Sequence, residues 1–193
     1  LRGRALENTS LLNLATHTAG GFPLQLPDSV HDNGQLMRYF KHWTPSYPAG
    51  TRRTYANPSI GLLGVISARQ LDMSYRSALQ DLLFPALGLN NTHLQVPANW
   101  QRMYAQGYTR DNVPARLSPA VLADEAYGVK SSSDDMLRFV EANMGLEKLD
   151  TPLKQAIAAK DIGRAAAGGI IAVILANIVA YFLMRGIGRH LDT

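Results

Sequence analysis

The stretch RTYANPSIGLLG, residues 53–64, carries the densest structural signal in the chain. Pro58 opens an apolar run that predicts a short, buried helix over 58–69, because Pro is favoured in the first turn of a helix. Asn57 is then the expected N-cap. Tyr55 and Asn57 also suit an active site, since a Tyr hydroxyl can relay protons and a carboxamide can grip an amide. Taken alone, the tripeptide favours the cap, because short motifs recur by chance.

Outward from this stretch, helical patterns alternate with loops rich in Pro, Gly and Asn. Asp32 or Asn33 is expected to cap a helix whose apolar positions share one face (Leu36, Met37, Phe40 and Trp43). Ser74 is expected to cap the next helix, which Pro85 should end or kink.

The remaining soluble part is less periodic. Residues 90–122 predict mostly irregular structure, which in a compact domain is usually functional or supported by its neighbours. Ser133 is expected to cap a helix with Asp134 and Asp135 in its first turn, and Gly145 to stop it. The sequence therefore predicts a mainly α architecture with no strand series.

Composition narrows the function classes. The chain has 193 residues and a formal charge of +4, with Lys and Arg scattered, so no nucleic-acid partner is predicted. It has no Cys, so a disulfide framework and a thiolate metal site are excluded. The His residues show no metal-binding spacing, and we predict neither a metal nor another cofactor.

The two ends of the sequence are unusual. It starts at Leu1 with no secretory signal pattern, which suggests a processed or truncated product. Residues 165–184 are apolar except for Asn177, and 20 such residues are long enough to span a bilayer as a helix. Small residues recur there every four positions and would allow close helix packing in lipid (Gly168, Ala172, Ala176 and Ala180). We divide the chain into a domain over 1–160 and an apolar tail over 161–193.

Several long segments resemble one family. LLNLATHTAGGFPLQLPD, GTRRTYANPSIGLLG, PALGLNNTHLQVP and YGVKSSSDDMLRFVEANM, in one order from about residue 11, resemble the class C serine β-lactamases, the periplasmic cephalosporinases. The resemblance covers about residues 1–158, and the tail matches nothing recognised in that family. It implies the helical lobe of the α/β fold that serine β-lactamases share with DD-peptidases.

The resemblance assigns roles to four residues. It implies that Tyr55 assists proton transfer to and from a serine and that Asn57 holds the side-chain amide of the lactam. It also implies that Gln25 and Tyr127 line opposite sides of the substrate pocket. A loop hydrogen bond for Gln25 and a packed aromatic ring for Tyr127 are the alternatives. His17 stands where relatives often carry Tyr.

The implied activity is hydrolysis of the β-lactam amide of cephalosporins and penicillins, which confers antibiotic resistance. It requires a serine in S-x-x-K and a K-T-G element, and the 193 residues contain neither, nor a G-x-S-x-G. We therefore expect an inactive fragment, periplasmic by family. The alternatives are a DD-peptidase or esterase relative, and a non-enzymatic helical module tethered to a membrane through 165–184.

Overall fold

The computed structural model describes residues 6–116, 118, 120–144 and 146, and helices dominate this part of the chain. Two two-residue strands, β1 (Gly107–Tyr108) and β2 (Pro114–Ala115), pair antiparallel with Gly107 opposite Ala115. In chain order, the elements are α1 (Leu11–Ala15), α2 (Asn33–His42), α3 (Asn57–Gln70), α4 (Tyr75–Ser77), a π-helical segment (Ala78–Leu83), α5 (Phe84–Ala86), a 3-10 helix (Ala98–Met103), β1 (Gly107–Tyr108), β2 (Pro114–Ala115), α6 (Ala123–Tyr127) and α7 (Ser133–Asn143).

Helix α3 forms the centre of the core, as its apolar sequence predicts. Leu63 has no exposed surface, and every residue from 58 to 64 is buried. A helix that is apolar on all sides must be covered on all sides. Helices α1 and α6 pack against α3, and the core continues into α2 and the segment that ends at α5.

The N-cap of α3 is Ala56, so the prediction that Asn57 caps this helix is wrong. Ala56 has extended dihedral angles, φ −150° and ψ 120°, and no side chain caps the helix. Asn57 is already the first helical residue, and its N–H donates to the carbonyl of Leu24 at 3.0 Å. Because the extended segment ends one residue earlier than predicted, the Asn57 side chain has no capping role.

Helix α2 begins as predicted, but fewer of its apolar residues are buried than predicted. Its N-cap is Asp32, whose Oδ1 accepts a hydrogen bond from the Gln35 N–H at 2.7 Å. Leu36 and Phe40 are buried, whereas Met37 is 44% exposed. The buried face is therefore narrower than the apolar positions suggest.

The helix after Ser74 is distorted before Pro85. The Ser74 hydroxyl accepts from the Ser77 N–H at 3.0 Å, which confirms the predicted cap. The backbone then widens into the π-helical segment, and the Phe84 N–H donates to the carbonyl of Leu79. Pro85 has no N–H to continue an α-helical ladder, so the predicted kink takes the form of π-helical turns.

The N-cap of helix α7 lies one residue earlier in the sequence than predicted. The N-cap is Ser132, whose hydroxyl accepts from the Asp135 N–H at 3.2 Å, so the assignment to Ser133 is wrong. Asp134 and Asp135 lie in the first turn, as predicted. Gly145, the predicted stop, lies outside the described residues.

Asp135 ties α7 to the irregular segment that follows α5. Its side chain is 1% exposed and accepts from the Asn91 N–H at 2.7 Å and from the Thr92 hydroxyl at 2.6 Å. A buried carboxylate needs such donors, because its charge is otherwise uncompensated. The long loop is thus held by a buried polar contact rather than by periodic structure.

Helices α3 and α6 approach closely at two glycines. A Cβ added to Gly61 would lie 2.6 Å from the Leu122 Cβ, and one added to Gly64 would lie 2.8 Å from the Glu125 Cβ. Such distances are far below van der Waals contact, so only Gly allows this approach. Leu122 is itself buried and has a left-handed backbone, with φ +65°.

The apolar tail is not part of the described structure. Within residues 6–116, 118, 120–144 and 146, no helix combines the length and the apolarity needed to cross a bilayer. The predicted span over 165–184, its small-residue stripe and the predicted domain boundary at 160 all lie outside these residues.

Candidate active site

Tyr55 lies at the end of the extended segment that leads into α3. Its side chain is 44% exposed, and its ring contacts the ring of His17, with centroids 4.5 Å apart and planes 35° apart. The phenol is therefore held on one face and open to solvent on the other. This is the exposure that a group exchanging protons with a substrate needs.

Hydrogen bonds to the segment around α1 hold the chain on both sides of Tyr55. The Thr54 N–H donates to the carbonyl of His17 at 2.9 Å. The Ala56 N–H donates to the imidazole Nδ1 of His17 at 3.1 Å. The Ser59 hydroxyl, in the first turn of α3, donates to the carbonyl of Leu14 at 2.8 Å. The start of α3 is thus fixed to α1 and the turn after it.

His17 owes its position to the turn that ends α1. It has a left-handed backbone with φ +59°, and its N–H donates to the Leu14 carbonyl at 3.3 Å. The next N–H, of Thr18, donates to the Asn13 carbonyl at 2.8 Å. These two bonds form a Schellman motif, in which the residue after the C-cap takes left-handed dihedral angles. His is among the few non-glycine residues enriched there.

The imidazole of His17 is buried and neutral. Only 2% of the residue is exposed, and Nε2 has no hydrogen-bond partner among the described residues. Burial, reinforced by the positive charge of Arg53, lowers the pKa of His17 to about 4. Because Nδ1 accepts a hydrogen bond, the proton of the neutral ring is assigned to Nε2.

Three of the four residues singled out by the resemblance line one cleft. Gln25, Asn57 and Tyr127 surround a space of about 380 Å³, together with residues of the loop before α2 and of the α6 region. Gln25 is exposed, and the other two are half-buried. The cleft thus brings together side chains that are far apart in the sequence.

Tyr55 does not line this cleft. The period-2 alternation of an extended chain, which would point Tyr55 and Asn57 to the same side, does not apply because Asn57 is helical. Tyr55 is nevertheless only two residues from Asn57 in the chain. The site accordingly consists of a cleft with the exposed Tyr55 phenol in the segment leading to it.

A larger space of about 1020 Å³ lies among α1, α2, α3 and α6 and has mainly apolar walls. None of the four predicted site residues lines it. Glu125 lies at its edge, and burial is the main cause that raises the pKa of its carboxyl. The described residues bring together no group of three His, Asp or Glu side chains that could hold a metal ion.

Comparison with solved structures gives the class of fold. The structure superposes on a beta-lactamase/D-alanine carboxypeptidase from Pseudomonas syringae with a TM-score of 0.74 and 58% sequence identity, covering 76% of this chain and 41% of that one. It superposes on a class C beta lactamase from Rhodobacter sphaeroides with a TM-score of 0.74 and 44% identity, covering 79% and 43%. The described residues, which are mainly helical, therefore have part of the serine β-lactamase fold.

Sequence comparison gives the family. The beta-lactamase family profile matches residues 1–180. The beta-lactamase of Lysobacter lactamgenus is 48% identical over 163 residues, which are 84% of this chain and 42% of that protein. The beta-lactamase of Pseudomonas fluorescens is 45% identical over 84% of this chain and 46% of that protein. The chain belongs to the beta-lactamase family, and its resemblance to class C members is confirmed.

The comparisons also bear on length. The chain spans less than half the length of these two curated relatives. The family match ends at residue 180, inside the apolar segment over 165–184, rather than near 158. It therefore does not support the prediction that the tail is unrelated to the family.

Sequence reasoning missed the structural role of His17. The sequence shows His17 as one polar residue in LATHTAGG, and nothing in its spacing indicates a contact with Tyr55. The following Thr-Ala-Gly-Gly does predict a turn after α1. The available signal was the position of His17 in that turn, because the residue after a helix C-cap often takes left-handed dihedral angles.

Proposed function

We propose that this chain forms part of a class C β-lactamase, which opens the β-lactam ring of cephalosporins and penicillins through a serine acyl-enzyme. One observation carries the proposal. Gln25, Asn57 and Tyr127, to which the family resemblance assigns substrate contacts, line a single cleft. The family membership supports the same reaction.

The chemistry follows from the side chains. The Asn57 carboxamide makes no hydrogen bond to any described residue, so its donors and acceptor are available to an amide of the substrate. Gln25 and Tyr127 bound the same space. The Tyr55 phenol, fixed by His17, would transfer the proton between the serine and the leaving nitrogen.

The nucleophile has to come from outside these 193 residues. No Ser is followed by Lys at the third position, and no K-T-G occurs. Without the serine, only binding and electrostatic contributions remain, which lie orders of magnitude below full catalysis. We propose that the chain alone binds a β-lactam and does not hydrolyse it.

The first experiment measures hydrolysis of a chromogenic cephalosporin by the purified chain and by Tyr55→Phe. We expect the rate for both proteins to equal that of buffer. Turnover that disappears in Tyr55→Phe would show that the nucleophile lies within this chain and would overturn the proposed division of the site.

The second experiment measures binding of an intact cephalosporin by calorimetry. Asn57→Ala should weaken binding about tenfold, the effect of one lost hydrogen bond of about 1.4 kcal/mol. Gln70→Ala, at the other end of α3 and exposed, is the matched control and should bind like the wild type. Equal affinities for all three proteins would contradict the assigned role of Asn57.

A D-alanyl peptide is the second candidate substrate. The Pseudomonas syringae relative, 58% identical, is described as a beta-lactamase/D-alanine carboxypeptidase. An acyl-D-alanyl-D-alanine peptide should then compete with the cephalosporin for the cleft. Tighter binding of the peptide than of the cephalosporin would favour the peptidase reading.

Localisation is proposed from the family and from the tail. We propose a periplasmic protein that residues 165–184 attach to a membrane. The chain should partition into detergent, and a variant lacking 161–193 should not. Partitioning that survives the deletion would count against the tail as an anchor and would favour another surface.

A further inference from the structure

We propose that His17 is a positioning residue for Tyr55, and that its ring and its carbonyl fix the phenol and the peptide groups on either side of it. Its importance for substrate binding rests on the function proposed above. The positioning of Tyr55 by His17 is argued only from contacts within the described structure.

Three contacts from one residue reach three consecutive residues. The His17 carbonyl accepts from the Thr54 N–H at 2.9 Å, and Nδ1 accepts from the Ala56 N–H at 3.1 Å. Between these two bonds, the imidazole covers one face of the Tyr55 ring, with the centroids 4.5 Å apart. The backbone before and after Tyr55 and its ring are therefore restrained together.

Only one form of the imidazole can make these contacts. Nδ1 must present a lone pair to the Ala56 N–H, so a proton on Nδ1 would break that bond. The proton of the neutral ring then lies on Nε2, which is buried without a partner among the described residues. The low pKa of His17, caused mainly by burial, keeps the ring in this form above about pH 4.

The backbone at residue 17 limits which side chains can substitute. Its φ of +59° suits Asn, which tolerates left-handed dihedral angles and can place an oxygen near the position of Nδ1. His17→Asn should thus keep the bond to Ala56 and lose the ring contact with Tyr55. His17→Phe should do the reverse, keeping a ring and losing the acceptor.

The structural test uses the full chain labelled with ¹⁵N. In the wild type, we expect a scalar coupling across the hydrogen bond between the Ala56 nitrogen and Nδ1 of His17. Amide exchange at Ala56 should be slow in the wild type and in His17→Asn, and at least about tenfold faster in His17→Phe. Ring signals of Tyr55 should shift in His17→Asn, where the imidazole is gone.

Two results would overturn the proposal. One is an absent coupling together with an Nδ1-protonated ring in the wild type, a measurement that needs no variant to fold. The other is equal exchange of the Ala56 amide in the wild type and in a folded His17→Phe.

Binding of a cephalosporin separates this inference from the proposed function. If the wild type binds, His17→Phe should weaken binding about tenfold, because the unrestrained Ala56 directly precedes Asn57 of the cleft, and His17→Asn, which keeps the acceptor for the Ala56 N–H, should restore most of it. Wild-type affinity in a folded His17→Phe would overturn the positioning role. If the wild type does not bind although the coupling is present, the proposed function fails while the hold of His17 on Tyr55 stands.

Discussion

The imidazole of His17 packs on the ring of Tyr55 with 4.5 Å between centroids, while its Nδ1 accepts the N–H of Ala56. One buried, neutral side chain thus connects the turn after α1 with the residues that lead into α3. Since the contact needs the neutral ring, protonation of this single residue disrupts the packing of these elements.

Stability should fall in acid because of His17. Its pKa is 6.5 when unperturbed and about 4 in the fold, so between these values the unfolded chain binds a proton that the folded chain does not. The stabilisation is complete above about pH 6.5 and is lost as pH falls towards 4. The expected loss in free energy of unfolding is about 2–3 kcal/mol, measured by urea unfolding across this range.

His17→Asn is the control for this pH dependence, because it removes the titrating group and retains the other His residues. Its free energy of unfolding should depend less steeply on pH between 4 and 6.5 than that of the wild type. Parallel profiles for the two proteins would show that other groups cause the acid sensitivity.

Asn57→Ala should leave the fold intact. Asn57 is the first residue of α3 and does not cap it, so its loss should change the free energy of unfolding by less than about 0.5 kcal/mol. Asp32→Ala, which removes the true cap of α2, should cost about 1 kcal/mol. Urea unfolding compares the two variants, and a cost for Asn57→Ala as large as that for Asp32→Ala would restore a structural role.

Gly61→Ala should destabilise the contact between α3 and α6. The new Cβ would lie 2.6 Å from the Leu122 Cβ, and overpacking of this kind costs about 1–3 kcal/mol. Gly34→Ala in α2 is the control, because its Cβ would meet only side-chain atoms of Asp32 and Arg38, at 3.1 and 3.7 Å. It should be neutral or raise stability by up to about 1 kcal/mol. Thermal or urea unfolding measures both, and equal effects would refute the close approach.

Asp135→Ala should loosen the segment between α5 and α7. It removes the acceptor of the Asn91 N–H and of the Thr92 hydroxyl, which then retains only the Ser131 hydroxyl as a partner, at an expected cost of about 2–4 kcal/mol. Asp134→Ala removes an exposed carboxylate from the same helical turn and should cost less than about 1 kcal/mol. Hydrogen exchange at Asn91 should increase only in the first variant; unchanged exchange there would contradict the tie.

The starts of α2 and of the helix after Ser74 were predictable because polar capping residues precede a periodic apolar pattern. Asp32 and Ser74 cap as expected, because each side chain accepts from an N–H three residues on. The start of α3 and of α7 was misplaced by one residue. At α7 two neighbouring Ser residues both suit a cap, whereas at α3 the cap position is taken by Ala56, a residue type that N-caps disfavour; in both cases the residue with the extended backbone is the cap. Side-chain type alone does not determine that.

The candidate site was predictable only in part. The family resemblance selected Gln25, Asn57 and Tyr127, and the fold brings them to one cleft. Their roles in binding stay predictions. The contact of His17 with Tyr55 could not be predicted from spacing, since it depends on a left-handed residue in a turn and on the packing of two distant segments.

The glycines of α3 have a consequence for the cleft. Asn57, Gly61 and Gly64 are four and seven residues apart, so they share the face of the helix that meets the α6 region. That region also carries Tyr127, which lines the cleft as well. Gly61 does not line the cleft. A side chain at this position, one turn from Asn57, would nevertheless push α3 away from the α6 region and widen the cleft. The width of the cleft is therefore set by a contact between α3 and the α6 region that does not itself line the cleft.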